Sequence, residues 1–157
     1  MNLMNLTDAP VAQLLQNGRQ QQEVAGTAQE KDFFPVVRLF LPGTDAVWLL
    51  TELEPRHGIA FGLCDLGFGM PELGSVSLME LMTLRSPDNR FGVEVDTTFV
   101  ADRPLRAYAR EARACGRIVT DLPTLTDDSK DGVANPGALS PYLEGEGVDA
   151  TDWREMA

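Results

Sequence analysis

Cysteine and histidine are the residue types in this 157-residue chain that most readily suggest catalysis. Cys64 is followed by Asp65, and the one histidine of the chain is His57. A cysteine nucleophile needs a thiolate, which a nearby histidine or another positive group normally provides. The two residues lie at opposite ends of one predicted strand, which would hold them more than about 20 Å apart at roughly 3.3 Å per residue. The sequence therefore predicts a small buried cysteine and not a Cys–His pair.

Three carboxylates, Asp65, Glu72 and Glu80, are spaced closely enough to suggest a divalent metal site, which needs several converging oxygens. A structural explanation is stronger for two of them. Asp65 is well placed to accept a turn N–H, and Glu80 lies three residues after Ser77, as in a helix capping box. We therefore expect turn and cap roles and no metal site.

A glycine-rich turn, Gly67-Phe68-Gly69-Met70, follows the same predicted strand. It resembles a phosphate-binding loop only in its glycines, because a Gly-Lys-Ser/Thr sequence and a directly following long helix are both lacking. Phe68 and Met70 either tuck under the core, which is the favoured interpretation, or form an exposed patch that suits protein binding.

A row of arginines gives the chain its second group of candidate functional residues. The segment Arg103–Arg117 is predicted to be a helix, with Asp102 as its N-cap and Pro104 in its first turn. At the helical period its five arginines share one side, and Glu111 lies outside their arc, so the row is predicted to be uncompensated. It could grip phosphates of nucleic acid, dock an acidic protein segment including this chain's own C-terminal part, or be a solvated face. The five are Arg103, Arg106, Arg110, Arg113 and Arg117.

The elements that would position these residues form a sheet. Runs of β-branched and aromatic residues bounded by turn residues predict four or five antiparallel strands. The second strand is nearly continuous in apolar residues and is predicted to be central, whereas the last alternates and is predicted to have one wet face. The predicted strands are Val36–Leu41, Ala46–Leu53, Ile59–Cys64, Leu73–Val76 and Val93–Val100.

A first helix is predicted to begin after Thr7 and to end at Asn17-Gly18, because Asn-Gly is a good stop signal. The polar stretch Arg19–Asp32 is then predicted to be a loop. Together these features predict a single α+β domain over residues 1–119, in which the sheet packs against two or three helices. The N-terminal helix and polar loop occupy residues 1–32 of that domain, and the core occupies residues 33–119.

The acidity of the chain is concentrated at its C-terminal end. Of the net charge of −11, the segment Ile118–Ala157 carries −7, with nine acids and two bases. Residues 120–157 lack periodicity and predict an acidic low-complexity tail, with Trp153 among its apolar anchors. Two cysteines without metal-ligand spacing, no signal-peptide pattern and no long apolar run favour the cytoplasm as the compartment and argue against membrane contact.

The run FGLCDLGFGMPELGSVSLMEL, residues 61–81, resembles domain-of-unknown-function family 2958, a group of small bacterial proteins of plasmids, integrative elements and phages. The resemblance continues upstream through PVVRLFLPGTDAVWLLTELEP and downstream through FGVEVDTTFVADRPLRAYAREARACGRIV. It spans roughly residues 8–119 and leaves out the acidic tail. It implies a compact α+β domain of mobile-element origin and supplies no catalytic residue.

We therefore expect a non-enzymatic accessory or interaction protein of a bacterial mobile element that works through contacts with another protein, without a cofactor. One alternative is a nucleic-acid-associated protein that uses the face of the Arg103–Arg117 helix. A further alternative is an acidic inhibitor of a host defence protein that uses the tail. The candidate interaction residues are Phe68, Met70, Arg103, Arg106, Arg110, Arg113, Arg117 and Trp153.

Overall fold

The computed structural model describes residues 6–120. It confirms the α+β class: five antiparallel strands form one sheet in the order β4-β3-β2-β1-β5, and three helices pack on it. The strands are β1 Val37–Phe40, β2 Val47–Glu54, β3 Ile59–Asp65, β4 Glu72–Ser77 and β5 Glu94–Val95. The helices are α1 Asp8–Val24, α2 Leu78–Thr83 and α3 Leu105–Cys115. The predicted tail and Trp153 lie outside the described residues.

The sheet is covered on both faces, which explains the continuous apolar run of β2. One face carries α1 and α2 and includes Leu14, Trp48 and Leu50 in its core. The other face carries α3 and includes Leu49 and Tyr108. Successive residues of a strand point to opposite faces, so a central strand between two helical layers has to be apolar throughout. The prediction of a central, doubly covered β2 is confirmed.

A β-bulge at Thr51 interrupts that alternation. Leu50 pairs with Gly62 and Glu52 pairs with Phe61, so Thr51 is the extra residue of β2. A bulge shifts the side-chain alternation by one, and Leu53 therefore returns to the α1 face. A Cβ on Gly62 would overlap the carbonyl oxygen of Leu49, so the ladder beside the bulge requires glycine there.

The prediction that α1 ends at Asn17-Gly18 is wrong, because the helix continues to Val24. Glycine serves here as a contact residue and not as a stop: a Cβ on Gly18 would overlap the carbonyl oxygen of Leu53. The Asn17 amide donates to the carbonyl of Thr51, the bulge residue, at 2.9 Å. Gln21 is buried, and its amide bonds both the N–H and the carbonyl of Lys31 at 2.9 Å. Asn17 therefore ties the helix to β2, and Gln21 ties it to the loop that follows.

The predicted fifth strand, Val93–Val100, is wrong over most of its length, because β5 is only two residues long. The Asp96 carboxylate accepts both the N–H and the hydroxyl of Thr98 and closes a local turn. Such side-chain bonds compete with the strand ladder. Val100 beyond the turn is 86% exposed.

Among the described residues, no helix is both long and apolar enough to cross a bilayer.

Candidate interaction surface

The arginines of the α3 region do not form the single row that the helical period predicts. Pro104 precedes α3 in an extended conformation, so Arg103 lies outside the helix. The residue before a proline is disfavoured in the helical region, and this was the signal in the sequence. At the other end, Gly116 adopts the left-handed conformation and ends the helix, so Arg117 also lies outside it. Arg106, Arg110 and Arg113 are the members on the helix itself.

The prediction of an uncompensated row is wrong at Arg103. This side chain is buried, its guanidinium stacks 4.2 Å from the ring centre of Tyr108, and Nη2 donates to Glu111 Oε2 at 2.8 Å. Asp102 lies 3.6 Å from Nη1, and the Val119 carbonyl accepts from Nη2 at 3.4 Å. A guanidinium stacked and paired in this way holds the domain together and is not available to a partner.

The predicted N-cap, Asp102, is also wrong. Its carboxylate instead accepts the hydroxyl hydrogen of Tyr108 at 2.8 Å. The first turn of α3 is capped from a distant segment: Leu105 N–H donates to the carbonyl of Phe33 at 2.9 Å, and Arg106 N–H donates to Asp32 Oδ1 at 3.1 Å. Burial raises the pKa of Asp32, although the Arg106 N–H and the charges of Arg106 and Arg110 act in the opposite direction.

Asp32 therefore places an acid among the arginines of α3. Arg106 and Arg110 are half-buried beside it, whereas Arg113 and Arg117 are exposed. Arg113 lies in the last turn, where a cation also complements the negative end of the helix dipole. The row is thus divided into a compensated N-terminal part and an exposed C-terminal part.

The favoured interpretation of Phe68 and Met70 as core residues is wrong. Phe68 is 80% exposed and Met70 is 72% exposed, and Leu66 on the same loop is 57% exposed. Gly67 and Gly69 alternate with them at positive φ, +85° and +81°, which L side chains rarely adopt. The alternation turns three large apolar side chains outward on one five-residue loop.

This loop is joined to the end of α3 by one buried carboxylate. Asp65 is 2% exposed; its Oδ1 accepts the Gly67 N–H at 2.9 Å, and its Oδ2 accepts the Ile118 N–H at 3.1 Å. A Cβ on Gly116 would lie 3.6 Å from the carbonyl oxygen of Gly69, so the loop and the helix end are in contact. The expected turn role of Asp65 is confirmed, and its second bond could not be found from local sequence because its partner is 53 residues away.

We call the resulting patch the Phe68 surface. It combines the three outward-pointing apolar side chains of the loop with the two exposed arginines at the end of α3. On the sheet side the loop is flanked by the exposed acids Asp45 and Glu72. Its members are Leu66, Phe68, Met70, Arg113 and Arg117.

The catalytic candidates are not brought together. His57 lies in the turn that precedes β3, with Nδ1 3.0 Å from Glu54 Oε2, while Cys64 lies near the opposite end of that strand. Burial, together with the charge of Glu72, raises the pKa of the Cys64 thiol to about 12, so it is protonated at neutral pH. The prediction of a buried cysteine is only partly met, because Cys64 is half-buried and packs against the core of the α1 face.

The carboxylates Asp65, Glu72 and Glu80 do not converge either. Glu72 pairs with Cys64 at the start of β4, whereas Glu80 follows the far end of that strand in α2. Ser77 Oγ accepts the N–H of Glu80 at 3.3 Å, which confirms Ser77 as the N-cap of α2. Within residues 6–120, no group of three or more potential ligands is arranged to hold a metal ion.

Sequence reasoning missed a cleft of about 160 Å³ between the C-terminal half of α1 and strands β2 to β4. Its polar lining includes Gln21, Glu52 and Glu54. Gln21 is bonded to the Lys31 backbone, and Glu54 accepts the N–H groups of Arg56 and His57 at 2.9 Å. Since these groups are engaged in holding turns and the helix, the cleft offers fewer polar contacts to a ligand than its lining suggests.

The fold and this surface define a small antiparallel α+β module, with helices on both faces and an exposed apolar loop at one end. The chain matches the model of the family described as protein of unknown function, DUF2958, over residues 5–119, and it belongs to that family. No curated protein and no solved structure matches it.

Proposed function

We propose that this protein is a non-enzymatic accessory protein that acts by binding another protein through the Phe68 surface. The observation that carries the proposal is the exposure of Leu66, Phe68 and Met70 on a loop whose backbone is fixed. Single exposed apolar residues are ordinary on a protein surface. Three within five residues form a contiguous patch of the kind that marks interaction sites.

The geometry of the loop supports binding because its conformation is already set. Asp65 fixes the loop at Gly67, and the neighbouring Pro71 is buried, so both ends are anchored. Association is weakened by the entropy lost when flexible loops are ordered, and a fixed loop reduces that cost. Large apolar side chains that enter pockets of a partner are typical centres of binding energy.

The charges beside the loop favour a particular partner. Arg113 and Arg117 lie on the α3 side, and Asp45 and Glu72 lie on the sheet side. A partner segment that places an apolar side chain on the loop and acidic residues toward α3 would satisfy this arrangement. On the setting expected from the family resemblance, that partner would be another protein of a mobile element or of its bacterial host.

Binding of nucleic acid is less well supported. A phosphate-binding row needs several accessible cations, and Arg103 is buried in an ion pair while Asp32 lies beside Arg106 and Arg110. The proposal for the acidic inhibitor concerns residues outside the described part of the chain. Binding of nucleic acid is an alternative outcome of the experiment that tests the proposal.

The test is affinity capture from lysate of the host cell with the full chain. Wild type is compared with Phe68→Ser/Met70→Ser and with the matched control Met79→Ser/Met82→Ser, which changes two exposed methionines on α2. Loss of a central apolar anchor costs about 2 kcal/mol or more, or roughly 30-fold in affinity. We expect a protein that wild type and the control retain and that the loop variant loses.

Equal retention by all three proteins would overturn the proposal. Salt-sensitive capture of DNA or RNA that weakens in Arg106→Ala/Arg110→Ala/Arg113→Ala, with the loop variant unaffected, would favour the nucleic-acid alternative. Circular dichroism melting of each variant shows whether the fold is intact.

A further inference from the structure

The two edges of the sheet are protected to different degrees. β5 forms one edge with only two residues, and such a short strand offers little backbone for another strand to pair with. β4 forms the other edge with six residues that pair with β3 in an unbroken register. It contains no proline, lysine or bulge, which are common means of blocking an edge. Within residues 6–120, β3 is the only strand that pairs with β4, so the outer edge of β4 is open to a further strand.

The middle of β4 is open on both faces of the sheet. Gly74 lies on the α1 face, and among the described residues a Cβ there would have no atom within 4 Å. Ser75 lies on the α3 face and is exposed. Gly62, which pairs with Gly74, is required by the carbonyl of Leu49, whereas no contact within the described domain requires glycine in the middle of β4. A glycine inside a strand weakens it and often marks a place where another backbone approaches closely.

A second copy of this chain fits the edge because an antiparallel strand is complementary to itself. A two-fold axis perpendicular to the sheet pairs β4 with its own copy, and every strand pair within the sheet is already antiparallel. Residues that face each other in such a pair point to the same face of the sheet. An axis at the middle of the strand therefore passes through Gly74 or through Ser75.

The charges of β4 permit this symmetric pairing. A two-fold axis places the central residues of a strand against themselves, and the centre of β4 is uncharged. Glu72 is the one charged residue of the strand and lies at its end. The two copies of Glu72 would be about 13 Å or more apart along the pair, at about 3.3 Å per residue, which is beyond the screening length of about 8 Å at physiological salt.

We infer that two copies of this chain pair through the outer edges of β4, antiparallel, and join their sheets into one of ten strands, five from each copy. The pairing satisfies the edge that is open in the single chain, and Gly74 leaves room for the close approach of the second copy. This inference concerns the β4 edge and not the Phe68 surface, and it does not rest on the proposed function.

Sedimentation velocity of the full chain over roughly 1 µM to 1 mM tests the association. We expect a species of twice the mass of one chain whose share rises with concentration. Ser75→Lys and Ser75→Glu should each weaken the dimer about fivefold or more, because like charges would then lie opposite or diagonal to each other across the pair. An equimolar mixture of the two variants should restore the dimer as a mixed species, which native mass spectrometry identifies. Thr97→Lys, at an exposed site beyond β5, is the control and should associate as wild type does.

Amide hydrogen exchange locates the contact. At concentrations at which the dimer forms, the β4 amides that point away from β3 should exchange more slowly in wild type than in Ser75→Lys, while the β5 amides should not differ. A monomer throughout the concentration range contradicts the inference and leaves the edge to a strand of another protein. A dimer that Phe68→Ser/Met70→Ser dissociates and the Ser75 variants do not would also contradict it, because the exposed loop would then form the contact. The purified chain is the only protein in these experiments, so failure of the capture experiment does not affect their outcome.

Discussion

The two ends of α3 use arginine in opposite ways. Before the first turn, Arg103 is buried against Tyr108 and paired with Glu111. After the last turn, Arg117 is exposed beside a loop that presents large apolar side chains. The same residue type thus closes the domain at one end and faces outward at the other. The difference teaches that accessibility, and not the presence of charge in sequence, decides whether an arginine can recognise a partner.

The largest expected effect concerns the N-terminal end of α3, where Arg103 is buried; we call this the closed end and the end with Arg113 and Arg117 the open end. In Arg103→Met the aliphatic packing is retained, but Glu111, whose side chain is 16% exposed, loses its cation. Leaving one partner of such a pair unsatisfied should lower the free energy of unfolding by about 2–4 kcal/mol. Arg113→Met, the control at the open end, should change it by less than about 0.5 kcal/mol. Urea denaturation measures both free energies of unfolding. The dependence of the free energy on urea concentration should be the same in the variants and in wild type.

The double variant Arg103→Met/Glu111→Gln sharpens this result, because it removes both charges. It should recover part of the loss seen in Arg103→Met alone, as expected for two residues that interact directly. Equal unfolding free energies for Arg103→Met and Arg113→Met would mean that the two ends of α3 do not differ.

A smaller effect concerns the cap supplied by Asp32. Asp32→Ala should cost about 1 kcal/mol, because the Arg106 N–H loses its acceptor, whereas Asp32→Asn retains an acceptor oxygen. Since burial raises the pKa of Asp32 in the folded state, the native protein holds more protons than the unfolded chain between about pH 4 and that raised pKa. The contribution of Asp32 to stability should therefore fall as pH rises through that folded pKa.

The measurement is the difference in unfolding free energy between wild type and Asp32→Asn, followed from pH 3 upward. The unfolding free energy of Asp32→Asn should rise relative to that of wild type as pH rises. A constant difference for Asp32→Asn would show that burial of its charge has no net cost.

Local signals in the sequence account for most of the sheet and for both ends of α3. The strands β1 to β4 follow from apolar runs between turn residues. Pro104 and Gly116 mark the ends of α3. The prediction of a single row of five arginines was wrong because it extended the helical period beyond both residues. Long-range contacts account for the rest. Gly18 is a stop signal in isolation, yet it lies in mid-helix because β2 approaches it there.

The candidate site shows the same limit. The glycines identify the loop in the sequence. The exposure of Phe68 and Met70 depends on the residues that pack beneath the loop, and the local sequence does not reveal these. The cap from Asp32 to Arg106 joins residues 74 positions apart. Contacts of this length are decided by the assembled sheet and could not be inferred from spacing.

A further expected effect concerns Tyr108, on which Arg103 stacks. Burial raises the pKa of Tyr108 to about 12, so the folded protein holds a proton that the unfolded chain loses near pH 10. Stability should fall as pH rises through this interval, and ultraviolet titration of the two tyrosines should show a late step. Tyr108→Phe should remove that step and cost about 1 kcal/mol through the lost bond to Asp102, whereas Tyr142→Phe should leave the step in place. If the late step survives in Tyr108→Phe, it does not belong to Tyr108. The closed end of α3 would then admit water, and its two ends would differ less in solvent access than the burial of Arg103 indicates.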